Sequence, residues 1–116
     1  MLNYAKLPDD QLEFVSVATL DELDDEGRLL LEIDGLPIAV FKIAEQLFAI
    51  ADICSHDDGP LAEGDLEGTT VVCPRHGAHF DLNSGKALSL PAVVDIPAYP
   101  VKVEGEQILV GVPLQG

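Results

Sequence analysis

The sequence is short of several things. It has no tryptophan, one methionine, two cysteines, two tyrosines and four phenylalanines. With so few aromatics, the core is expected to be built from Leu, Val, Ile and Ala. Two cysteines are too few for a small secreted disulfide scaffold. No apolar run approaches the length of a membrane span. The N-terminus lacks a basic region followed by a hydrophobic stretch, and Asp9 and Asp10 stand near the start; neither a signal peptide nor a transit peptide is expected. A cytoplasmic location follows as the default expectation. Basic residues are also scarce: six Lys and Arg stand against 21 Asp and Glu, a formal net charge of −15. Such a chain is repelled by nucleic acid and anionic membranes, whereas a basic protein partner would be drawn to it.

What is present reads as one folded domain. A length of 116 residues with 47% hydrophobic composition suits a single domain, residues 1–116, with its own core. Short apolar runs separated by Gly, Pro, Asp and Asn predict an all-β protein. Strands are expected over Leu12 to Val17, Arg28 to Ile33, Leu36 to Ile43, Gln46 to Ala51, Tyr99 to Val103 and Ile108 to Val112. Asp34-Gly35 is a strong hairpin signal. Ala44-Glu45 and Glu104 to Gln107 are expected to turn the chain as well. Thr19-Leu20-Asp21-Glu22 matches a capping box and predicts a short helical turn ended by Gly27. From Asp52 to about Gly85 the runs shorten and loops dominate, at Ser55 to Gly59, Pro74 to Gly77 and Asn83 to Gly85. A β scaffold at both ends of the chain therefore carries a loop-rich insertion, where binding chemistry tends to sit.

Both cysteines and all three histidines fall in that insertion. Cys54-Ser55-His56 has the form C-x-H, and Cys73-Pro74-Arg75-His76 the form C-x-x-H. Residues 57–72 separate them. Each segment offers a thiolate and an imidazole within a tight turn, so the two can converge on a metal. A zinc site would take all four ligands round one ion, but its usual knuckles pair like with like. In a Rieske cluster two cysteines hold one iron and two histidines the other. Two loops that each give one Cys and one His suit that arrangement. A structural disulfide or inert buried thiols would leave the neighbouring histidines as coincidence. His79 has no partner cysteine and reads as a residue beside the site, not a ligand.

At these residues the sequence resembles the Rieske family. The match takes in Cys54-Ser55-His56, Gly59-Pro60-Leu61, Cys73-Pro74-Arg75-His76-Gly77 and Phe80-Asp81-Leu82-Asn83-Ser84-Gly85. The resemblance implies an antiparallel Rieske-like β-sandwich or barrel with a cluster-binding insertion over about residues 52–85. It implies one 2Fe–2S cluster on Cys54, His56, Cys73 and His76. It also implies that Leu90-Pro91-Ala92 is a third, proline-bearing loop shielding the cluster. Gly59 and Gly77 are expected to let backbone amides approach the sulfurs, and Pro74 to stiffen the second loop.

Further expectations concern the reduction potential. Rieske proteins of respiratory complexes carry an extra cysteine in each loop, a Ser just after the His-Gly of the second, and a Tyr two positions further. Here there is no such cysteine, and Ala78 and Phe80 take the hydroxyl positions. Asp57 and Asp58 add negative charge, opposed by Arg75. A potential near the bottom of the Rieske range, roughly −150 to +300 mV, is expected.

A chain this small leaves no room for a substrate pocket, and no second set of two His and a carboxylate remains for an oxygenase iron. The expected role is therefore electron transfer and not catalysis. The resemblance implies the ferredoxin component of an aromatic-ring dioxygenase system, fed by a flavin-dependent NAD(P)H reductase and serving a terminal oxygenase, with a monomer expected. The small subunit of a nitrite reductase, an accessory of iron–sulfur assembly and a zinc-stabilised interaction module stay open at this stage.

Overall fold

A computed structural model describes residues 4, 7–53, 61, 63–74, 77–89 and 95–113. Among the described residues, ten strands form three antiparallel sheets. In chain order they are β1 (Leu12–Thr19), β2 (Arg28–Ile33), β3 (Leu36–Ile43), β4 (Gln46–Ala51), β5 (Leu66–Glu67), β6 (Thr70–Val72), β7 (His79–Asp81), β8 (Ala98–Tyr99), β9 (Val101–Glu104) and β10 (Gln107–Pro113). The sheet orders are β1-β10-β9, β2-β3-β4-β8 and β5-β6-β7. Among the described residues, no helix is long and apolar enough to cross a membrane.

The four-stranded sheet is the middle layer, and the period of two explains why. On β3, Ala39 and Phe41 face one way and join a buried cluster with Ile50, Leu61, Val71, Cys73 and Phe80. Ile38 and Val40 face the other way and join Ala49, Tyr99, Ile108, Val110 and Val112. Both faces are covered, so β3 is an unbroken apolar run through its middle. The small sheet β5-β6-β7 lies on the first face, and β1-β10-β9 on the second. Aliphatic residues dominate the core as expected, but Phe41 and Phe80 are its largest fully buried side chains.

Turn chemistry fixes the registers. Asp34 and Gly35 take φ of 52° and 81°, and Ile33 pairs with Leu36. Ala44 and Glu45 take φ of 51° and 68° between the paired Ile43 and Gln46. Both are two-residue hairpins of the kind whose twist suits the strands.

Three expectations need correction. The helical turn spans only Leu20–Glu22. The Glu22 carboxylate accepts from the Thr19 amide at 2.7 Å, as a capping box requires, but Leu23 is already extended and buried. Gly27 lies in the following turn, donating to the Asp24 carbonyl. The strand expected over Tyr99 to Val103 is cut at Pro100, which has no amide to donate. Ala98–Tyr99 pairs with β4, and Val101–Glu104 with β10 in another sheet. Lastly, the insertion is loop-rich as expected but also carries three short strands that were not expected, the sheet β5-β6-β7.

Candidate metal centre

The second motif sits at the mouth of the β6–β7 hairpin. Val72 and His79 are the last paired residues. Beyond them the Cys73 amide donates to the Ala78 carbonyl at 2.7 Å, and the Gly77 amide to the Cys73 carbonyl at 3.0 Å. Gly77 has φ +74°, a conformation that suits glycine. Cys73 is a free thiol, 1% exposed. It lines a cleft of about 350 Å³ with Glu63, Gly64, Asp65, Val72, Pro74 and Gly77.

Alternation along β7 sorts the next residues. Ala78 and Phe80 point into the core and are fully buried. Neither position can offer a hydroxyl. His79 points outward with a third of its side chain exposed, its Nε2 3.5 Å from Glu67 Oε1. Its amide donates to Ser89 Oγ at 3.0 Å, and its Nδ1 lies 3.0 Å from the same oxygen. His79 is thus tied to Ser89 and Glu67. Cys54, His56, Gly59, Arg75, His76 and Pro91 lie outside the described residues.

The residues flanking the first motif are described up to Ile53 and again at Leu61. The chain leaves β4 at Ala51 and returns at Leu61. The Leu61 amide donates to Asp52 Oδ1 at 2.8 Å, and the Asp52 amide to the Pro37 carbonyl at 2.9 Å. Leu61 is therefore tied to Asp52, and Asp52 to β3. Leu61 belongs to the same buried cluster as Cys73. Gly64 joins the two: its amide donates to the Leu61 carbonyl at 3.1 Å, and a Cβ built on it would lie 1.6 Å from the Val72 carbonyl oxygen. Only glycine lets the returning limb pack so closely on β6. The bases of both motif-bearing loops thus meet over one apolar cluster.

The donor chemistry fits an iron–sulfur group. Among the described residues, no polar or charged side chain is buried. A thiolate at Cys73 would need a positive charge beside it, and coordinated iron supplies one. Asp52, Gly64 and Ser89 were not singled out from the sequence. An isolated Gly between acidic residues was the one available sign, pointing to a close backbone approach.

Residues 13–100 match the Rieske [2Fe-2S] domain. The chain belongs to the Rieske family. It is 47% identical over 90 residues to the 3-phenylpropionate/cinnamic acid dioxygenase ferredoxin subunit of Escherichia coli strain K12, covering 76% of this chain and 84% of that one. It is 31% identical over 96 residues to the ferredoxin component of the naphthalene 1,2-dioxygenase/salicylate 5-hydroxylase systems of a Ralstonia species, covering 83% and 92%. Among solved structures, the ferredoxin of carbazole 1,9a-dioxygenase from Nocardioides aromaticivorans IC177 superposes with a TM-score of 0.80 at 34% identity, covering 84% and 95%. The cofactor of this Rieske chain is a 2Fe–2S cluster, and its role is electron transfer and not catalysis. The expected all-β Rieske architecture agrees with the observed fold.

Proposed function

We propose that this chain is the one-electron carrier of a multicomponent aromatic-ring dioxygenase system. It takes electrons from an NAD(P)H-dependent flavin reductase and passes them to a terminal oxygenase. Its residues 1–116 act as one domain, with the cluster-binding part over about 52–85. Cys54 and Cys73 hold one iron and His56 and His76 the other, and the chain works in the cytoplasm. A bound Rieske cluster takes up and releases one electron.

The observation that carries this reading is the buried free thiol of Cys73, at a hairpin mouth packed against the closed base of the first loop. The relatives named as dioxygenase ferredoxins match over most of both chains and favour this system over the other Rieske roles. A solved complex of reduced oxygenase and oxidized ferredoxin in carbazole 1,9a-dioxygenase includes a chain similar to this one, with TM-score 0.81 and 26% identity over 89% of this chain and 96% of that one. That similarity supports an oxygenase as electron acceptor.

The protein's own side chains set the potential. Ala78 and Phe80 leave the sulfurs without two hydroxyl donors, and hydrogen bonds to sulfur raise the potential of such centres. Ala78→Ser and Phe80→Tyr should each raise the midpoint in protein-film voltammetry. A wild-type midpoint well above zero would reject the low-potential reading. Ligation is tested by EPR on anaerobically purified, dithionite-reduced protein. Cys73→Ser and His76→Ala should each abolish the Rieske signal; unchanged iron and sulfide content in both variants would reject the ligand set. A colourless wild-type protein holding zinc would reject the cluster itself.

A further inference from the structure

The limb that closes the first loop is tied to the middle sheet at two points. One is Asp52, described above. The other comes from β2, where no motif pointed. Arg28 is paired across the ladder with Phe41, and its guanidinium lies over the Phe41 ring, 5.5 Å from the centroid. From there its Nη1 donates to the Gly64 carbonyl at 2.6 Å. Phe41 is fully buried, in the cluster that includes Leu61 and Cys73. The ring holds the planar guanidinium in place, and the guanidinium in turn fixes a backbone carbonyl.

Gly64 is the residue at which that carbonyl matters most. Its amide caps the Leu61 turn, its Cα rests on the Val72 carbonyl, and the next residue, Asp65, accepts the Val72 amide at 2.9 Å. One step along from Val72 is Cys73. A shift of Gly64 would therefore move the return of the first loop and the entry to the second together.

We infer that Arg28 is a positioning residue for the cluster. It clamps Gly64 so that Leu61, where the chain returns from the first motif, and Val72, which leads into Cys73, keep their spacing. The inference rests on the Rieske reading of the site. Arg28 lies outside both motifs in sequence, and its contribution is to hold Leu61 and Cys73 in place on their shared cluster. Removing the clamp lets these two positions part more often, and a bound cluster then loses iron to a chelator sooner.

The test uses anaerobically purified, cluster-loaded protein. Loss of visible absorbance in excess chelator is followed for wild type, Arg28→Met and Arg28→Lys, with backbone hydrogen exchange recorded on the same samples. Met keeps much of the side-chain bulk over Phe41 but cannot donate to Gly64. Arg28→Met should bleach about tenfold faster, equivalent to about 1.4 kcal/mol for one charge-assisted hydrogen bond. Its Leu61 and Gly64 amides should exchange faster while those of β3, β4 and β10 do not change. Arg28→Lys keeps a cationic donor and should bleach more slowly than Arg28→Met. Wild-type bleaching in Arg28→Met overturns the inference. So do equal rates in the Lys and Met proteins, or exchange raised uniformly across the scaffold. Wild-type protein without iron and sulfide would be seen before any variant is compared; it fails the Rieske reading and takes this inference with it.

Discussion

The two outer layers of the molecule are held on the middle sheet by different means. The β1-β10-β9 layer has long strands. β1 and β10 pair over most of their length, with one irregularity between Ser16 and Ala18. Ala18, Ile108, Val110 and Val112 are buried against the middle sheet, and a slip of one residue would expose them, so burial does much to set the register. The β5-β6-β7 layer has strands of two and three residues, too short to hold a register through side-chain alternation. Specific links replace length there. Asp52, Arg28, Ser89 and Asp95 each accept from or donate to a backbone group across a loop, and Gly64 and Gly85 let backbones touch. The contrast teaches that the layer bearing the proposed ligands has its shape set from outside itself. Fixed loops of that kind suit an electron carrier, since ligands that move little between oxidation states leave little to reorganise.

The strongest way to break that contrast is one substitution made in both layers. Gly85 has φ +75°, and a Cβ there would lie 1.9 Å from the Ile96 carbonyl oxygen. Its amide donates to the Asp81 carbonyl, and its carbonyl accepts from Ile96. Gly105, in the β9–β10 turn, also has positive φ, +63°, but nothing lies within 4 Å of its would-be Cβ. Gly85→Ala should cost about 3 kcal/mol or more, because backbone must move as well as twist. Gly105→Ala should cost about 1–2 kcal/mol, the left-handed penalty alone. Urea titrations measure both. Equal losses would mean that the small layer gives way as easily as an exposed turn.

This difference also explains what the sequence disclosed. Strands of six to eight residues were long enough to stand out as apolar runs, and β2, β3 and β4 were legible to the residue because Asp34-Gly35 and Ala44-Glu45 punctuate them. The strands of the small sheet were not legible, since Leu66–Glu67 and Thr70–Val72 are shorter than any period can establish. Pro100 was visible as a residue but not as a switch between sheets, because that depends on which neighbours Tyr99 and Val101 find. At the site, the motif pointed to a tight turn after Cys73, but not to the β6–β7 hairpin that the turn closes. Arg28 gave no sign, because its partner is a carbonyl 36 residues away. Side-chain-to-backbone links of that range leave no local pattern.

The layers also differ in where their charge lies. Near the small sheet the carboxylates of Glu63, Asp65 and Glu67 are exposed. On the opposite face Tyr99 is 5% exposed, stacked on Tyr4 with ring centroids 5.4 Å apart. Burial, and then the neighbouring Tyr4, push its pKa from 10.0 up to about 12. A folded-state value above the unfolded one favours the neutral phenol in the fold. That contribution is whole below about pH 10 and is lost as pH rises towards 12. Wild type should therefore lose stability across that window, and Tyr99→Phe should flatten the loss. Urea midpoints measured from about pH 8 to pH 11 check this. An unchanged slope in Tyr99→Phe would place the alkaline weakness elsewhere, for example in the small layer.

The smallest effect tests whether the scaffold's own turns are at their optimum. Ala44 and Glu45 both hold positive φ without being glycine or asparagine, whereas the neighbouring hairpin uses Asp34-Gly35 for the same purpose. Left-handed backbone costs such residues about 1–2 kcal/mol each, and glycine returns part of that gain as unfolded-state entropy of about 0.5–1 kcal/mol. The Ala44 amide donates to Asp25 Oδ1 at 2.8 Å, a bond that any residue but proline at 44 keeps. Ala44→Asn with Glu45→Gly should then stabilise the protein by about 1 kcal/mol in urea titration. Cluster loss to a chelator should not slow in that variant, because the turn lies outside the clamp made by Asp52 and Arg28. If the stabilised protein also held its cluster longer, the loops would be drawing their rigidity from the scaffold as a whole and not from their own links.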